Sequence, residues 1–128
     1  MPLRIAVADD EPDMREYFER ILPRLGHEVV SVAATGAELV EQCRRQRPDL
    51  VITDIKMPDM DGVEAAAEIC REAPVPVILV TGYQDRHHRE RARQAQVRVY
   101  LLKPIKRADL EASIATAIAG SGRVDRST

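Results

Sequence analysis

Asp9, Asp10, Asp54, Thr81 and Lys103 are the residues of this chain whose types and positions could do chemistry together, because each ends a short apolar run. Asp9 and Asp10 follow the run from Leu3 to Ala8, and Asp54 follows Asp49 to Thr53. Thr81 follows Val75 to Val80, and Lys103, with Pro104 behind it, follows Val97 to Leu102. Three gathered carboxylates repel one another and raise one another's pKa unless a cation sits among them. Hard carboxylate oxygens, with no Cys or His in the set, favour Mg²⁺ or Mn²⁺ over zinc. A divalent ion beside a carboxylate, an amine and a hydroxyl is a site for a phosphoryl group. Phosphoryl transfer asks for little beyond alignment and charge neutralisation, and an Asp carboxylate can itself be the nucleophile. Asp54 suits that role because it stands alone on its run. Lys103 would place a point charge on one phosphoryl oxygen, and the Thr81 hydroxyl would donate to another. Gly82 leaves the approach to Asp54 sterically open.

Each element also has a plainer reading. Asp9-Asp10-Glu11-Pro12 is an ordinary helix start, with Asp10 as cap and acids on the helix dipole. Asp54 ahead of Met57-Pro58-Asp59-Met60-Asp61-Gly62 could form a turn, and Thr81-Gly82 and Lys103-Pro104 could merely end strands. That account needs four independent coincidences at one edge of one sheet. His87 and His88, adjacent on a helical stretch, point apart and make a poor metal pair.

The shared edge depends on the elements that deliver these residues. Five apolar runs, 3–8, 28–33, 49–53, 76–81 and 97–102, alternate with five amphipathic stretches of helical length. Leu50-Val51-Ile52 and Val77-Ile78-Leu79-Val80 are apolar at consecutive positions, the pattern of strands buried on both faces of a parallel sheet. Met14, Tyr17, Phe18, Ile21, Leu22 and Leu25 form a helical stripe ending near Gly26. Leu39, Val40 and Cys43 mark the second helical stretch, Val63, Ala66, Ala67, Ile69 and Cys70 the third, and Leu110, Ile114, Ala117 and Ile118 the fifth. Strict alternation implies right-handed crossovers and a doubly wound α/β fold. We expect a flavodoxin-like (βα)5 three-layer sandwich with a parallel sheet in the order 2-1-3-4-5. In such sheets ligands bind outside the carboxyl ends of the strands, where the order reverses; here that is between the strands bearing Asp9-Asp10 and Asp54.

The fourth stretch, 84–95, is the odd one, anchored only by Ala92 and Ala95. Burying two alanines stabilises a helix by only about 1 kcal/mol, so we expect it to be the least firmly docked. Its arginines, Arg86, Arg89, Arg91 and Arg93, are interspersed with Asp85 and Glu90 and read as a solvated face.

At 128 residues the chain has the size of one domain with its own core. It is 45% hydrophobic and 31% charged, which argues against disorder. With no Trp and one Phe the core must be aliphatic. A net charge of -2 gives no overall pull toward nucleic acid or anionic membrane. Cys43 and Cys70 sit on apolar helical faces and read as buried free thiols. No segment approaches the roughly 20 apolar residues of a membrane span, and the reading is a cytoplasmic protein. Residues 1–119 are expected to form the domain and 120–128 a mobile tail or a truncated linker.

Taken together, Asp9-Asp10, Asp54 with Met57-Pro58 and Asp61-Gly62, Thr81, and Lys103-Pro104 resemble the receiver domain of two-component response regulators, over residues 3–119. The resemblance implies phosphorylation of Asp54 by a sensor histidine kinase or phosphotransfer protein. It implies Mg²⁺ held by Asp10, Asp54 and the backbone carbonyl of Lys56, with Asp9 contributing directly or through water. Thr81 and Lys103 would contact the phosphoryl group, the Lys103–Pro104 bond would be cis, and Tyr100 would be the switch aromatic, turning inward as Thr81 moves. The face built from the fourth helical stretch, the fifth strand and the fifth helical stretch would then change its packing, and an output domain or a second copy could read it there. Lys56 and Tyr83 occupy positions that tune dephosphorylation in this family. Asp54 to Pro58 with Gly62 to Ala66 also looks like regulators that carry an ANTAR RNA-binding output domain, which these residues themselves do not contain; no direct nucleic-acid binding is expected of this domain.

Three other classes fit parts of the pattern. A small Mg²⁺-dependent phosphatase could use Asp54 as nucleophile, but the haloacid-dehalogenase type wants an acid two residues on, where Lys56 stands. A cofactor-binding module such as an FMN domain would want a Gly/Ser/Thr-rich phosphate loop after the first strand, where Asp9-Asp10-Glu11 stands. A constitutive docking domain would share the fold without switching.

Overall fold

The computed structural model describes residues 2–82, 90–91, 97 and 99–119. Five strands, β1 Arg4–Ala8, β2 Glu28–Ala33, β3 Leu50–Asp54, β4 Val77–Thr81 and β5 Val99–Leu102, form one sheet. Four described helices accompany them: α1 Pro12–Arg24, α2 Gly36–Gln46, α3 Gly62–Glu72 and the C-terminal α4 Arg107–Ala119. The expectations for 84–95 fall outside the described residues except at Glu90 and Arg91, which are helical, and those for 120–128 fall wholly outside. The strand order is β2-β1-β3-β4-β5, the flavodoxin-like order expected, and every pairing is parallel.

Consecutive apolar residues are explained by two cores, one on each face of the sheet. Ile5, Val7, Leu50, Ile52, Ile78 and Val80 point to the side of Phe18, Ile21 and Leu22 from α1 and Leu110, Ile114 and Ala117 from α4. Ala6, Ala8, Val51, Val77 and Leu79 point to the side of Leu39, Val40 and Cys43 from α2 and Val63, Ala66 and Ile69 from α3. Side chains alternate faces along a strand, so a strand covered on both sides needs apolar residues at every position. Tyr100 packs in the second of these cores. Cys43 is buried and Cys70 half-buried, and both are free thiols.

Local sequence sets the helix ends. Asp61 and Glu64 form a reciprocal capping box on α3, and Thr35 caps α2 through the Glu38 N–H. The two pairs satisfy N–H groups that have no partner inside the helix. α1 departs from expectation: its N-cap is Glu11, with no side-chain cap and Pro12 opening the helix, so Asp10 does not serve as the cap. Gly26 lies just past the end of α1, where the sequence places a stop. Ile118 also departs, being 42% exposed. At 100° per residue it lies about 80° around the helix from Leu110, at the margin of the apolar stripe. β5 begins at Val99, two residues later than the apolar run, and β3 takes in Asp54 as its last residue. Among the described residues, no helix is long and apolar enough to cross a membrane.

Candidate metal centre and acceptor carboxylate

Parallel pairing of β1 with β3 and of β3 with β4 brings the ends of three strands side by side. Asp54 closes β3 and Thr81 closes β4, while Asp9 and Asp10 follow β1 directly. One carboxylate oxygen from each of Asp9, Asp10 and Asp54 lies within 4.8 Å of the others. Donors about 2.0–2.1 Å from a Mg²⁺ ion lie at most about 4.2 Å apart across it, so the three acids need only a modest contraction to share one. Asp10 is exposed, and Asp9 and Asp54 are buried.

Lys103 occupies the middle of this anionic group. Its Nζ lies 3.1 Å from Asp9 Oδ2, 3.1 Å from Glu11 Oε1 and 3.5 Å from Asp54 Oδ2. The Lys103 backbone N–H donates to the Thr81 carbonyl at 2.8 Å, fixing the start of the lysine's stem relative to β4. The Asp9 contact is an ion pair without hydrogen-bond alignment, which leaves Asp9 Oδ2 a buried oxygen with no hydrogen-bond donor. Such an oxygen is costly unless a charge compensates it. A cation fits there, and the ammonium stands where a metal's positive charge would act. The other Asp9 oxygen accepts the Glu11 N–H at 2.9 Å, and the Asp9 carbonyl accepts from the Arg15 guanidinium at 2.8 Å.

Burial and the neighbouring charges move the protonation equilibria together. The Asp54 carboxyl is pushed up to about 6, first by burial and then by the charge of Asp9, against the pull of Lys103. It is therefore still mostly ionised at neutral pH. Burial likewise raises Asp9, despite the Glu11 N–H and Lys103. For Lys103 burial disfavours the ammonium, but Asp9, Asp54 and Glu11 outweigh it and its pKa rises. The charges oppose desolvation by leaning on one another.

The loop after Asp54 is held by backbone approach. The Asp54 side chain accepts the Ile55 N–H at 2.8 Å, and Gly62 N–H donates to the Ile55 carbonyl at 2.8 Å. A Cβ on Gly62 would lie 1.9 Å from the Asp54 carbonyl oxygen, and one on Gly36 would lie 2.0 Å from that of Met60. Two glycines thus let α2 and α3 close directly on the acceptor loop. Lys56 is exposed two residues past Asp54. Gly82 is exposed and a Cβ there would meet nothing within 4 Å, so the approach beside it is open whether or not the residue is glycine.

Thr81 is buried beside the cluster, and Tyr100, in register with Leu79, is already buried at 6% exposure. The Lys103–Pro104 bond is cis, as the resemblance implies. The structure also adds residues that the strand-end reasoning passes over: Glu11 on Lys103, Arg15 on the Asp9 carbonyl, and Arg91 on Asp61 at 2.9 Å. Glu11 carries a faint sequence signal, an acid adjoining an acidic pair. The arginines carry none, because an arginine on a helix reads the same whether it reaches back to a nearby carbonyl, as Arg15 does, or across the fold, as Arg91 does.

Residues 5–115 match the family model of the response regulator receiver domain. The transcriptional regulatory protein PdtaR of Mycobacterium tuberculosis is 39% identical over 118 residues, which cover 92% of this chain and 58% of that protein. The chain thus spans little more than half the length of that relative. The receiver domain of the putative response regulator NarL from Mycobacterium tuberculosis superposes with a TM-score of 0.87 at 30% identity, covering 93% of this chain and 98% of that one. The response regulator domain of CheB from Thermotoga maritima gives 0.87 at 27% identity, covering 95% and 100%. With its strand-end acids, lysine and cis proline in place, this chain belongs to the receiver domain family of two-component response regulators.

Proposed function

We propose that Asp54 accepts a phosphoryl group, and that the modified aspartate changes the packing of the face formed by the fourth helical stretch, β5 and α4. The observation that carries this reading is the gathering of three carboxylates within 4.8 Å around an ammonium 3.1–3.5 Å from two of them. A Mg²⁺ or Mn²⁺ ion held by Asp9, Asp10, Asp54 and the Lys56 carbonyl would neutralise charge on the transferring group. An Asp54 oxygen bonds to phosphorus as the donor's P–N or P–O bond breaks, and that electron pair leaves with the donor's imidazole or acid. Lys103 then exchanges a carboxylate partner for a phosphoryl oxygen. Thr81, whose carbonyl already holds the Lys103 N–H, supplies its hydroxyl to a second oxygen. Tyr100 and Pro104 carry the displacement into β5 and α4. Tyr100 is buried in this structure, and on this reading the switch exchanges packing partners for the ring. It is a population shift biased by new charge.

Receiver domains of response regulators work with histidine kinases or phosphotransfer proteins, and such a protein is the expected donor. Residues 1–119 would be the receiving unit, with the output, a joined domain or a second copy, reading the switched face. A role as a stored signal, not a turnover catalyst, agrees with an exposed Lys56 where a phosphatase of the haloacid-dehalogenase type would need an acid. The test is incubation with Mg²⁺ and acetyl phosphate followed by intact mass. One phosphoryl adduct, absent with EDTA and absent from Asp54→Ala, is the expected result. No adduct on the wild-type chain overturns the reading, and repeated turnover of phosphate esters makes the chain a phosphatase.

A further inference from the structure

Arg91 lies in the fourth helical stretch, the part of the sequence with the fewest apolar anchors. Its guanidinium reaches 30 residues back to Asp61 Oδ2 at 2.9 Å. Both side chains are about three-quarters buried, at 28% and 25% exposure. The pair is therefore shielded far better than the exposed Arg44–Glu41, Arg45–Glu41 and Arg71–Glu68 pairs. Asp61 is also a rigid anchor. Its other oxygen accepts the Glu64 N–H at 2.8 Å, its own N–H donates to Glu64 at 3.1 Å, and its carbonyl accepts the Ala65 N–H. The next residue, Gly62, abuts the Asp54 carbonyl. A displacement of the acceptor loop therefore reaches Asp61 through backbone alone, without passing through Thr81 or Tyr100.

We propose that the Arg91–Asp61 ion pair ties the fourth helical stretch to the acceptor loop and favours the unphosphorylated packing, as a second connection between Asp54 and the responsive face. In a stretch whose sequence offers two alanines as apolar anchors, a well-shielded ion pair at Arg91 is a docking contact whose loss should be felt. The two Asp61 oxygens have separate tasks, so Asp61→Asn keeps a side-chain oxygen for the α3 cap and removes only the charge. Arg91→Gln removes the other partner and leaves the acceptor loop intact.

The test is amide hydrogen exchange of residues 84–95 in the unphosphorylated chain, with Arg91→Gln, Asp61→Asn and the double variant. Each single change should speed exchange about fivefold, the ratio given by about 1 kcal/mol, and the double variant should add little more. Exchange at wild-type rate in either single variant, or fully additive effects in the double, would falsify the tie. This part needs no phosphorylation, so it stands apart from the acceptor role of Asp54. The second part rests on that role: in Arg91→Gln, acetyl phosphate with Mg²⁺ should label Asp54 as in the wild type, while the exchange difference between labelled and unlabelled chain shrinks. An undiminished difference would overturn the coupling even where the first part holds.

Discussion

The two ends of the sheet carry similar charges in opposite circumstances. At the carboxyl end Lys103 meets Asp9, Glu11 and Asp54, with Lys103 at 18% side-chain exposure, Asp9 at 1% and Asp54 at 8%. At the far ends of α2 and α3, Arg44 grips Glu72 with its Nε 2.9 and 3.0 Å from the two carboxylate oxygens, at 46% and 37% exposure. Geometry alone favours the second pair, which is bidentate. Yet water answers both of its charges, and exposed pairs contribute little. In the first group burial has removed most of the water from Asp9, Asp54 and Lys103, with Glu11 at the rim still 63% exposed, so the buried charges depend on one another, and any new charge must rearrange them. Burial, more than contact distance, separates a structural ornament from a responsive site.

Removing the buried cation should break this contrast most severely. In Lys103→Met the carboxylates lose their internal counter-charge, and breaking a buried pair from one side costs on the order of 3 kcal/mol. Urea unfolding without metal should reveal the loss. Added Mg²⁺ should restore part of it, since a ligand bound by the folded state alone stabilises that state. A variant as stable as wild type in EDTA would mean that the acids are not strained against one another. Asp54→Asn probes the same balance from the anionic side. Burial and Asp9 together hold the Asp54 carboxyl up at about 6, against an ordinary 3.8. Neutralising it should raise metal-free stability at neutral pH by on the order of 2 kcal/mol, since each pH unit between those two values, a span that already nets the pull of Lys103, is worth about 1.4 kcal/mol and solvent screening reduces the total. Mg²⁺ should then stabilise the variant less than the wild type. If Asp54→Asn is the less stable protein in EDTA, the ion pair with Lys103 outweighs the repulsion from Asp9.

His27 lies between the two extremes. Its Nδ1 accepts the Leu3 N–H at 3.1 Å near the starts of β1 and β2, and burial lowers its pKa from 6.5. A lowered histidine binds its proton more readily in the unfolded chain. Its contribution is therefore present above pH 6.5 and is lost as the pH falls through the folded value. The carboxyls of Asp9 and Asp54, raised in the fold, favour the folded state as the pH falls, so the trend of the whole protein mixes the two. The informative quantity is the difference between wild type and His27→Gln, which is neutral throughout. That difference should move in favour of the glutamine variant between about pH 7 and 5. A constant difference would remove the histidine's linkage.

The strand-end residues were legible because their meaning is periodic. Runs apolar at every position imply a parallel sheet covered on both faces, and a parallel sheet brings Asp9, Asp54, Thr81 and Lys103 to one edge. Turn chemistry was legible ahead of Asp61-Gly62, and the capping box of Asp61 with Glu64 falls on the same motif, which by itself reads as a turn and not as a cap. Cap chemistry misled at Asp10, because Pro12 opens α1 and the Asp9 side chain takes the Glu11 N–H. Asp10 is thereby left free of capping and available to the cluster. The contacts of Arg15, Gly36 and Arg91 were not legible. Gly36 and Arg91 join elements that are distant in sequence, Arg15 reaches a main-chain carbonyl six residues back, and an arginine on a helix has the same local signature whether it meets a protein oxygen or water.

The smallest expected effect completes the contrast. Arg44→Met keeps most of the aliphatic stem while removing the charge from the pair with Glu72. The guanidinium's pKa is raised by the Glu72 contact and that of Glu72 is lowered by it, so the two charges do feel each other. Mutual influence is not stability when both side chains remain in water and must give up rotamer freedom to meet. Unfolding midpoints of Arg44→Met and wild type should differ slightly at low salt and coincide in 1 M salt, where the screening length is only about 3 Å. For Lys103→Met most of the difference should survive the same salt, because Asp9 and Asp54 are buried and buried charges are screened much less than exposed ones. If salt erases both differences alike, burial is not what distinguishes the two ends of the sheet.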